Sequence, residues 1–280
     1  MAVDVNRLRR ECVYQASTPL EAVAGDLAQI ETLATAWRAA RKRLFLAGAI
    51  SIALGVVGLA AYVPVGLMLI ALGVCFFVRT RSRPRAVANG AARRELAKSV
   101  AAMLAHDAEP NSPTAIRLAF NPKRELLSED PLPHRKNGKQ RLYKASWFSI
   151  ETTLCDSTVF TETIEDLIRQ RSFTNPRGKS KVKTRTHTLL AMRFAYSQKV
   201  YGDATPLAAR MRQEIQVPST ASVRGLEVTA RIVKVKALVT QSSDLAQAGS
   251  MLALGVYRML NLSRELQARK RAQPKAGGPQ

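Results

Sequence analysis

An uninterrupted run of 35 uncharged residues at positions 44–78 constrains the fold of this chain more than any other feature. One helical crossing of a bilayer needs about 20 residues, so the run is too long for one crossing and long enough for two short ones. Pro64 and Gly66 divide the run, because proline disfavours a helical conformation in the residue before it. The sequence therefore predicts a transmembrane helical hairpin over 44–78, with helices at 44–61 and 66–78.

Two alternatives to a crossing hairpin remain open at this point. One is a long buried helix in a soluble core, although such a core seldom needs so long an apolar run. The other is a wedge that dips into one leaflet, which the shortness of 66–78 permits. Ala47, Ser51 and Gly55 follow a four-residue spacing of small side chains, which predicts close contact between the two helices. The run contains no charged residue, and Ser51 and Tyr62 are its only hydroxyl side chains, so nothing in it suggests an ion path.

Basic residues flank the apolar run on both sides, and the turn at its centre carries none. Cytoplasmic loops are enriched in Lys and Arg, so both termini are expected on the cytoplasmic side. The first apolar run begins only at residue 44, and we therefore expect no N-terminal signal peptide. The expected location is a bacterial inner membrane, with the chain as an integral, multi-pass protein. The flanking cations are Arg41, Lys42, Arg43, Arg79, Arg81, Arg83 and Arg85.

Helical patterns lie on both sides of the hairpin and near the C-terminus. Apolar residues spaced alternately three and four apart over 19–43 predict a helix that continues into the first crossing. Residues 79–105 predict a return helix, and residues 244–267 predict a C-terminal amphipathic helix. Their apolar seams permit two interpretations: packing on the chain's own core, or pairing with a second copy or another protein. The seam candidates are Leu20, Val23, Leu27, Ile30, Trp37, Leu245, Leu252, Met259 and Leu262.

The second half of the chain has a strand-like composition. Residues 143–240 place β-branched and aromatic residues between turn signals, which predicts a small antiparallel sheet, with one long strand over 222–239 and a bulge or sheet edge near its residue 233. Residues 106–142 are rich in Pro, Asn and charge, which predicts a linker with one short strand at 114–120. The N-terminal segment 1–18 stays unassigned, and the basic tail 268–280 is expected to be disordered.

The expected fold class is therefore a membrane-anchored α+β protein. It combines a two-helix transmembrane hairpin with cytoplasmic helical arms. A small antiparallel β-rich domain and a C-terminal amphipathic helix follow.

Cations occupy every second position at the start of one predicted strand. Alternate side chains of a strand point to the same face, so Lys179, Lys181, Lys183 and Arg185 would form a ladder on one face, with the intervening residues facing the core. Arg177 in the preceding turn adds a fifth candidate. The chain carries a net charge of +22, and a field of this sign favours phosphate-rich partners, either lipid or nucleic acid. Lysines that only keep an edge strand soluble are the alternative.

The functional expectation follows from this placement. We predict a non-enzymatic scaffold or adaptor that needs no cofactor and presents a basic β-domain to anionic lipid head groups. A membrane-tethered nucleic-acid-binding protein is the alternative, although no aromatic residue interleaves with the ladder in sequence and no recognition motif is present. An enzyme is the remote alternative, in which Cys155 and His187 would act as nucleophile and base. No phosphate loop, metal-ligand spacing or nucleophile elbow supports it, and three scattered cysteines indicate a reducing compartment.

Overall fold

The structure, a computed structural model, describes residues 3–81, 85–132, 138–174 and 179–272. It is an α+β fold in which helices cover one face of an antiparallel sheet and two long apolar helices leave at one end. Short 3-10 turns lie at Thr205–Leu207 and Ser242–Asp244. The elements in chain order are α1 (Val5–Glu11), β1 (Val13–Thr18), α2 (Leu20–Ala61), α3 (Val63–Arg81), α4 (Arg85–Asn89), α5 (Ala91–Ala105), β2 (Thr114–Ala119), β3 (Glu125–Pro131), β4 (Lys139–Thr153), β5 (Val159–Thr174), β6 (Ser180–Ala195), α6 (Gln198–Tyr201), α7 (Ala208–Glu214), β7 (Ala221–Val228), β8 (Ile232–Val239) and α8 (Leu245–Ala272).

Helix α2 is continuous over 42 residues, which confirms the expectation that the first amphipathic helix runs into the apolar segment. At 1.5 Å per residue it is about 63 Å long. Its first half lies on the sheet and buries Val23, Leu27 and Ile30 completely. Its second half leaves the sheet. One helix therefore belongs both to the hydrophobic core and to the apolar hairpin, by which we mean residues 44–61 of α2 together with α3.

Helix α3 follows after a single residue, Tyr62, and begins at Val63 rather than at the predicted residue 66. Pro64 lies in its first turn, where the missing N–H has no intrahelical partner to lose. Only 11% and 17% of the residues in the most apolar windows of α2 and α3 are buried. By length and composition both helices could cross a membrane, and the described chain leaves their apolar side chains uncovered.

Glycines bring α2 and α3 into close contact. A Cβ atom on Gly66 would lie 2.8 Å from the carbonyl oxygen of Gly55, and a Cβ atom on Gly73 would lie 2.8 Å from that of Gly48. The contacting glycines are seven residues apart in each helix, a spacing that returns to the same face after two turns. The contact predicted from the four-residue spacing is thus present, but Gly55 is the member of that series on which it depends.

The return helix is broken in two. Gly90 separates α4 from α5, and a side chain at this position would clash with the ring of Phe120. Helix α5 packs antiparallel against α2, and an ion pair joins Lys98 to Glu31. The helical segments that were expected as arms of a separate β-domain therefore share one hydrophobic core with the sheet.

The strand order is β1-β2-β4-β5-β6-β8-β7, with every pair antiparallel, and β3 pairs with the first half of β4. Strand β2 confirms the short strand predicted at 114–120. The rest of the expected linker differs, since β3 and the start of β4 also lie there. The sequence of β3, ELLSEDP, lacks the apolar alternation by which a strand is recognised, because both of its faces are exposed.

The last predicted strand, at 222–239, is a hairpin of β7 and β8. Thr229 closes the turn. Its backbone N–H and its hydroxyl both donate to the carbonyl of Ile232, and the N–H of Ile232 donates to the Thr229 hydroxyl. The register shift lies between Val223 and Gly225, not near residue 233. Alternation restarts at Ile232 after the turn, which explains why Lys234 and Lys236 differ in phase from Arg231.

Candidate functional site

Four strands extend past the helix-covered core as a sheet whose outer strand β6 is exposed on both faces, and we call this extension the arm. Burial along β6 marks the boundary: Leu190, Met192 and Phe194 are buried, whereas every residue from Ser180 to Thr186 is exposed. Val182 was expected to face the core, but its side chain is 59% exposed. Both faces of this part of the strand are therefore open. The arm consists of β3, residues 139–146 of β4, residues 165–174 of β5 and residues 180–187 of β6.

The arm points to the end of the molecule from which the apolar hairpin leaves. At the far end, the N–H of Cys155 donates to the carbonyl of Asp107 just after α5, at 2.8 Å. At the near end, Asp166 of β5 contacts Arg93 at the start of α5, at 3.1 Å. Strand β5 thus runs towards the start of α5, which is where α2 departs from the core. We call this end the hairpin end and the opposite one the distal end.

The arm is long enough to reach the level at which the apolar segment begins. Lys98 of α5 contacts Glu31 of α2, and Arg38 of α2 donates to the carbonyl of Ala88 in α4. Arg93 lies midway between Ala88 and Lys98 in sequence, so it is level with about residue 34 of α2. From there to Leu44 the helix rises about 15 Å. From Asp166 to Thr174 a strand spans about 26 Å. The arm reaches the level of Leu44 even if its strands tilt by about 50° from the helix axis.

Cations from two strands lie directly opposite one another on the arm. The register places Arg169 against Arg185 and Arg171 against Lys183, and it places Phe173 against Lys181. Directly opposed residues share a face with Cβ atoms about 5 Å apart, and like charges in that position destabilise a sheet. We call the surface formed by Arg169, Arg171, Lys181, Lys183 and Arg185 the cation face.

The acidic residues of the arm do not neutralise the cation face. Three of them, Glu129, Glu165 and Asp166, have other basic partners, and the hydrogen bonds from Lys139 and Arg141 lower the pKa of the Glu129 carboxyl. Neither Glu125 nor Asp130 forms an ion pair with a described cation of this face, and Asp130 accepts from the Ser128 hydroxyl. Among the residues that the structure describes, Arg169, Lys181, Lys183 and Arg185 form no ion pair, and Arg171 donates to the Gln140 amide oxygen at 2.9 Å. The ion pairs of the arm join Glu129 to Lys139 and Arg141, Glu165 to Lys144, and Asp166 to Arg93.

The base of the arm is fixed by Asp166. Its carboxylate accepts hydrogen bonds from Arg93, the Trp147 indole N–H and the Thr188 hydroxyl, each at 3.1 Å. The Arg93 guanidinium also stacks 4.9 Å from the centre of the Trp147 ring. Burial lowers the pKa of Arg93, and Asp166 opposes that effect. Trp147 sits at a register shift between Ser146 and Phe148, which turns its side chain towards α5.

The other predicted cations are distributed as follows. Lys179 immediately precedes β6, whereas Arg177 and Arg83 lie outside the described residues. The Phe45 and Phe77 rings meet at 5.1 Å, so the basic residues before and after the apolar hairpin lie at the same end of it. Those in the described helices are Arg41, Lys42 and Arg43 in α2, Arg79 and Arg81 in α3, and Arg85 in α4.

The helix seams point inward. The seam side chains of α2 and α8 are buried against the chain's own core, apart from Leu262, which is half-buried. The buried ones are Leu20, Val23, Leu27, Ile30, Trp37, Leu245, Leu252 and Met259.

The structure separates Cys155 from His187, because Cys155 lies at the distal end and His187 lies in the arm. Within the described ranges no group of three or more His, Cys, Asp or Glu residues could hold a metal ion.

Arg169 and Arg171 are the site residues that sequence reasoning missed. Their alternation in IRQRSF resembles that of the ladder, but only the hairpin register shows that the two sets face each other. Comparisons of the chain with protein-family models, with curated proteins and with solved structures find no match.

Proposed function

We propose that this chain is a non-enzymatic, membrane-anchored scaffold or adaptor whose arm lies against anionic lipid head groups. The observation that carries the proposal is the pairing of Arg169 with Arg185 and of Arg171 with Lys183 on an arm that points to the hairpin end. Opposed cations cost stability unless an anion lies between them. A surface of lipid phosphates supplies such anions at the level that the arm reaches.

The anchor in this proposal is the apolar hairpin, crossing the bilayer with both chain termini on the cytoplasmic side. Its basic flanks favour that orientation, and its two ends emerge together beside the core. Each Lys or Arg held near an anionic leaflet contributes roughly 1 kcal/mol. The five residues of the cation face together with the flanks would therefore hold the compact part of the protein against the surface.

Nucleic acid is the alternative partner for the cation face. Phe173 lies opposite Lys181, so one aromatic residue does interleave with the cations. Its side chain is only 9% exposed, however, and a stacking platform needs an accessible ring. Phosphate contact without stacking fits a lipid surface better.

The test uses the full-length protein in lipid nanodiscs made of phosphatidylcholine alone or with added phosphatidylglycerol. A fluorophore on a single cysteine at Thr174→Cys, with Cys12, Cys75 and Cys155 replaced, reports quenching by lipids that carry a head-group nitroxide. We compare the arm variant, Lys181→Gln/Lys183→Gln/Arg185→Gln, with a distal control, Lys199→Gln/Arg264→Gln/Arg269→Gln, which loses the same charge from exposed residues.

The proposal predicts strong quenching in anionic discs, weaker quenching in neutral discs, and loss of that difference in the arm variant only. Equal quenching in both kinds of disc, or equal effects of the two variants, would contradict a specific contact of the arm with lipid anions. Tighter binding of single-stranded DNA than of anionic lipid, lost in the arm variant, would favour the nucleic-acid alternative.

A further inference from the structure

Among the described strands, β6 has a free edge over Ser180–His187. It pairs with β5 along its whole length, but its pairing with β8 begins only at Thr188, opposite Val239. In the part of the chain that the structure describes, these eight residues therefore have a neighbouring strand on one side alone. In an antiparallel sheet about half of their N–H and C=O groups point away from β5, and such a row is a template for another strand.

This edge carries Lys181 and Lys183, but within the described residues it has neither the bulge nor the covering element that other edges of the sheet carry. The outer strands β3 and β7 each contain a register shift, and α1 packs beside β1 with Arg7 bonded to Gln15. Bulges, covering elements and edge lysines are the usual devices that prevent strand addition, and lysines repel a basic strand but attract an acidic one. Over Ser180–His187 the register with β5 has no shift, so the edge is straight and regular.

The side chains beside this edge select the charge of an added strand. Lys181, Lys183 and Arg185 project from one face, and their inner neighbours Arg169 and Arg171 are also cationic. A second copy of this chain docked edge to edge would bring another set of cations against them and be repelled. An acidic strand would instead place carboxylates opposite the cations, where opposed charges stabilise a sheet.

We propose that the free edge of β6 docks an extended acidic segment of a partner protein by strand addition. Every second residue of the segment, opposite Lys181, Lys183 and Arg185, is acidic. The residues between them lie on the other face beside Val182, Thr184 and Thr186, and Val182 offers an exposed apolar surface there. The recognised pattern is therefore an alternation of Asp or Glu with β-branched residues over about eight positions.

This inference goes beyond the scaffold role and does not depend on lipid contact. Backbone hydrogen bonds carry the docking, and the side chains select the sequence. In the proposed membrane orientation the edge would lie close to the surface. Because Lys181, Lys183 and Arg185 also face the lipid in that orientation, the acidic segment and the lipid phosphates would compete for them.

The test measures binding of a fluorescein-labelled ten-residue peptide, in which Glu alternates with Val and Thr, to the full-length protein in neutral detergent micelles. A control peptide has the same composition with its Glu residues in one block. Two further peptides are N-methylated at alternate residues, in opposite frames. An added strand uses only the N–H groups on one of its edges, so one methylation frame should abolish binding and the other should leave it intact.

We expect the alternating peptide to bind at least about tenfold more tightly than the block peptide. The arm variant should weaken binding by about tenfold, whereas the distal control should leave it unchanged, because three opposed charge pairs are lost only in the former. Equal binding of both N-methylated peptides would overturn the proposal by showing that charge alone holds the peptide. Absence of binding by the alternating peptide at low salt would overturn it as well, and neither result would alter the lipid measurement.

Discussion

Arg169 and Arg185 lie directly opposite each other on β5 and β6, and no described acidic residue forms an ion pair with either. A fold selected only for stability would avoid this arrangement, since an opposed pair of unlike charge would be favourable. The pair therefore costs the arm stability unless a counter-charge lies nearby. An anion that lies over both residues removes that cost.

The variant Arg185→Glu converts this pair into one of opposite charge. We expect hydrogen exchange of the amides of residues 168–172 to slow by about two- to fivefold at low salt, while contact with anionic lipid weakens. The slowing should largely disappear in 1 M salt, because the charges are exposed. Lys199→Glu changes the net charge equally at the distal end and should not slow exchange in the arm. Faster exchange in Arg185→Glu would show that the opposed arginines do not repel.

The glycine contacts of the apolar hairpin make a second prediction. A Cβ atom on Gly66 would lie 2.6 Å from the backbone nitrogen of Leu59, so Gly66→Ala forces the two helices apart. We expect the melting temperature of the full-length protein in detergent to fall by several degrees, as is typical of overpacking by about 1–3 kcal/mol. Gly58→Ala is the matched control, because its added Cβ would lie 3.5 Å from Gly66 Cα, an ordinary contact. Similar melting temperatures for both variants would argue against the close approach.

Glu162 sets a pH dependence of stability. Glu162 of β5 lies opposite Ile150 of β4 and Met192 of β6, and Gly249 of α8 packs near its carboxylate. The residue is only 1% exposed, and burial raises the pKa of its carboxyl from 4.5 to about 8. Below pH 4.5 the carboxyl is neutral in both the folded and the unfolded chain. As the pH rises from 4.5 to 8, only the unfolded chain ionises, so the free energy of unfolding falls, and above pH 8 the full loss is present.

Glu162→Gln should remove this slope and stabilise the protein above pH 8 by a few kcal/mol at most. Denaturant unfolding between pH 5 and pH 9 measures it. Glu95→Gln, at an exposed position on α5, should retain the wild-type slope. A slope that is the same in wild type and Glu162→Gln would show that the buried carboxyl is not its source.

The shared core makes a prediction about fragments. Residues 106–280 alone lack β1, α2 and α5, which supply the fully buried Val23, Leu27, Ile30 and Ala97. We expect this fragment to lack a cooperative unfolding transition by circular dichroism. A chain in which a flexible linker joins Arg43 to Arg85 keeps those side chains and should unfold cooperatively in water. A cooperative transition in the fragment would mean that the sheet does not need the helices.

Much of the fold could be predicted from local patterns. The uncharged run indicates the two apolar helices, and the three-four spacing indicates the continuous α2, because both signals lie within one element. Strand β3 could not be predicted in this way, since a strand exposed on both faces has no apolar alternation. The sharing of one core by the helices and the sheet was also not predictable, because the spacing of Val23, Leu27 and Ile30 does not identify the surface against which they pack.

Only the β6 cations of the site could be predicted from the sequence. Alternation identified Lys181, Lys183 and Arg185 as one face of a strand. Their opposition to Arg169 and Arg171 depends on the register of a long hairpin, which no local pattern specifies. The expectation that Val182 faces the core extended the core alternation past Thr188, where helix cover ends. The prediction of a lipid contact for the ladder remains a proposal.

The central claim, that the apolar hairpin crosses a bilayer and leaves the arm on one side, is tested most directly by labelling from each side of sealed vesicles. Single cysteines at Tyr62→Cys and Thr174→Cys, in a chain without its native cysteines, are treated with a membrane-impermeant maleimide. The account predicts that Tyr62→Cys reacts only from the outer side and Thr174→Cys only from the cytoplasmic side. Reaction of both positions from the same side, or protection of Tyr62→Cys from both sides, would contradict it.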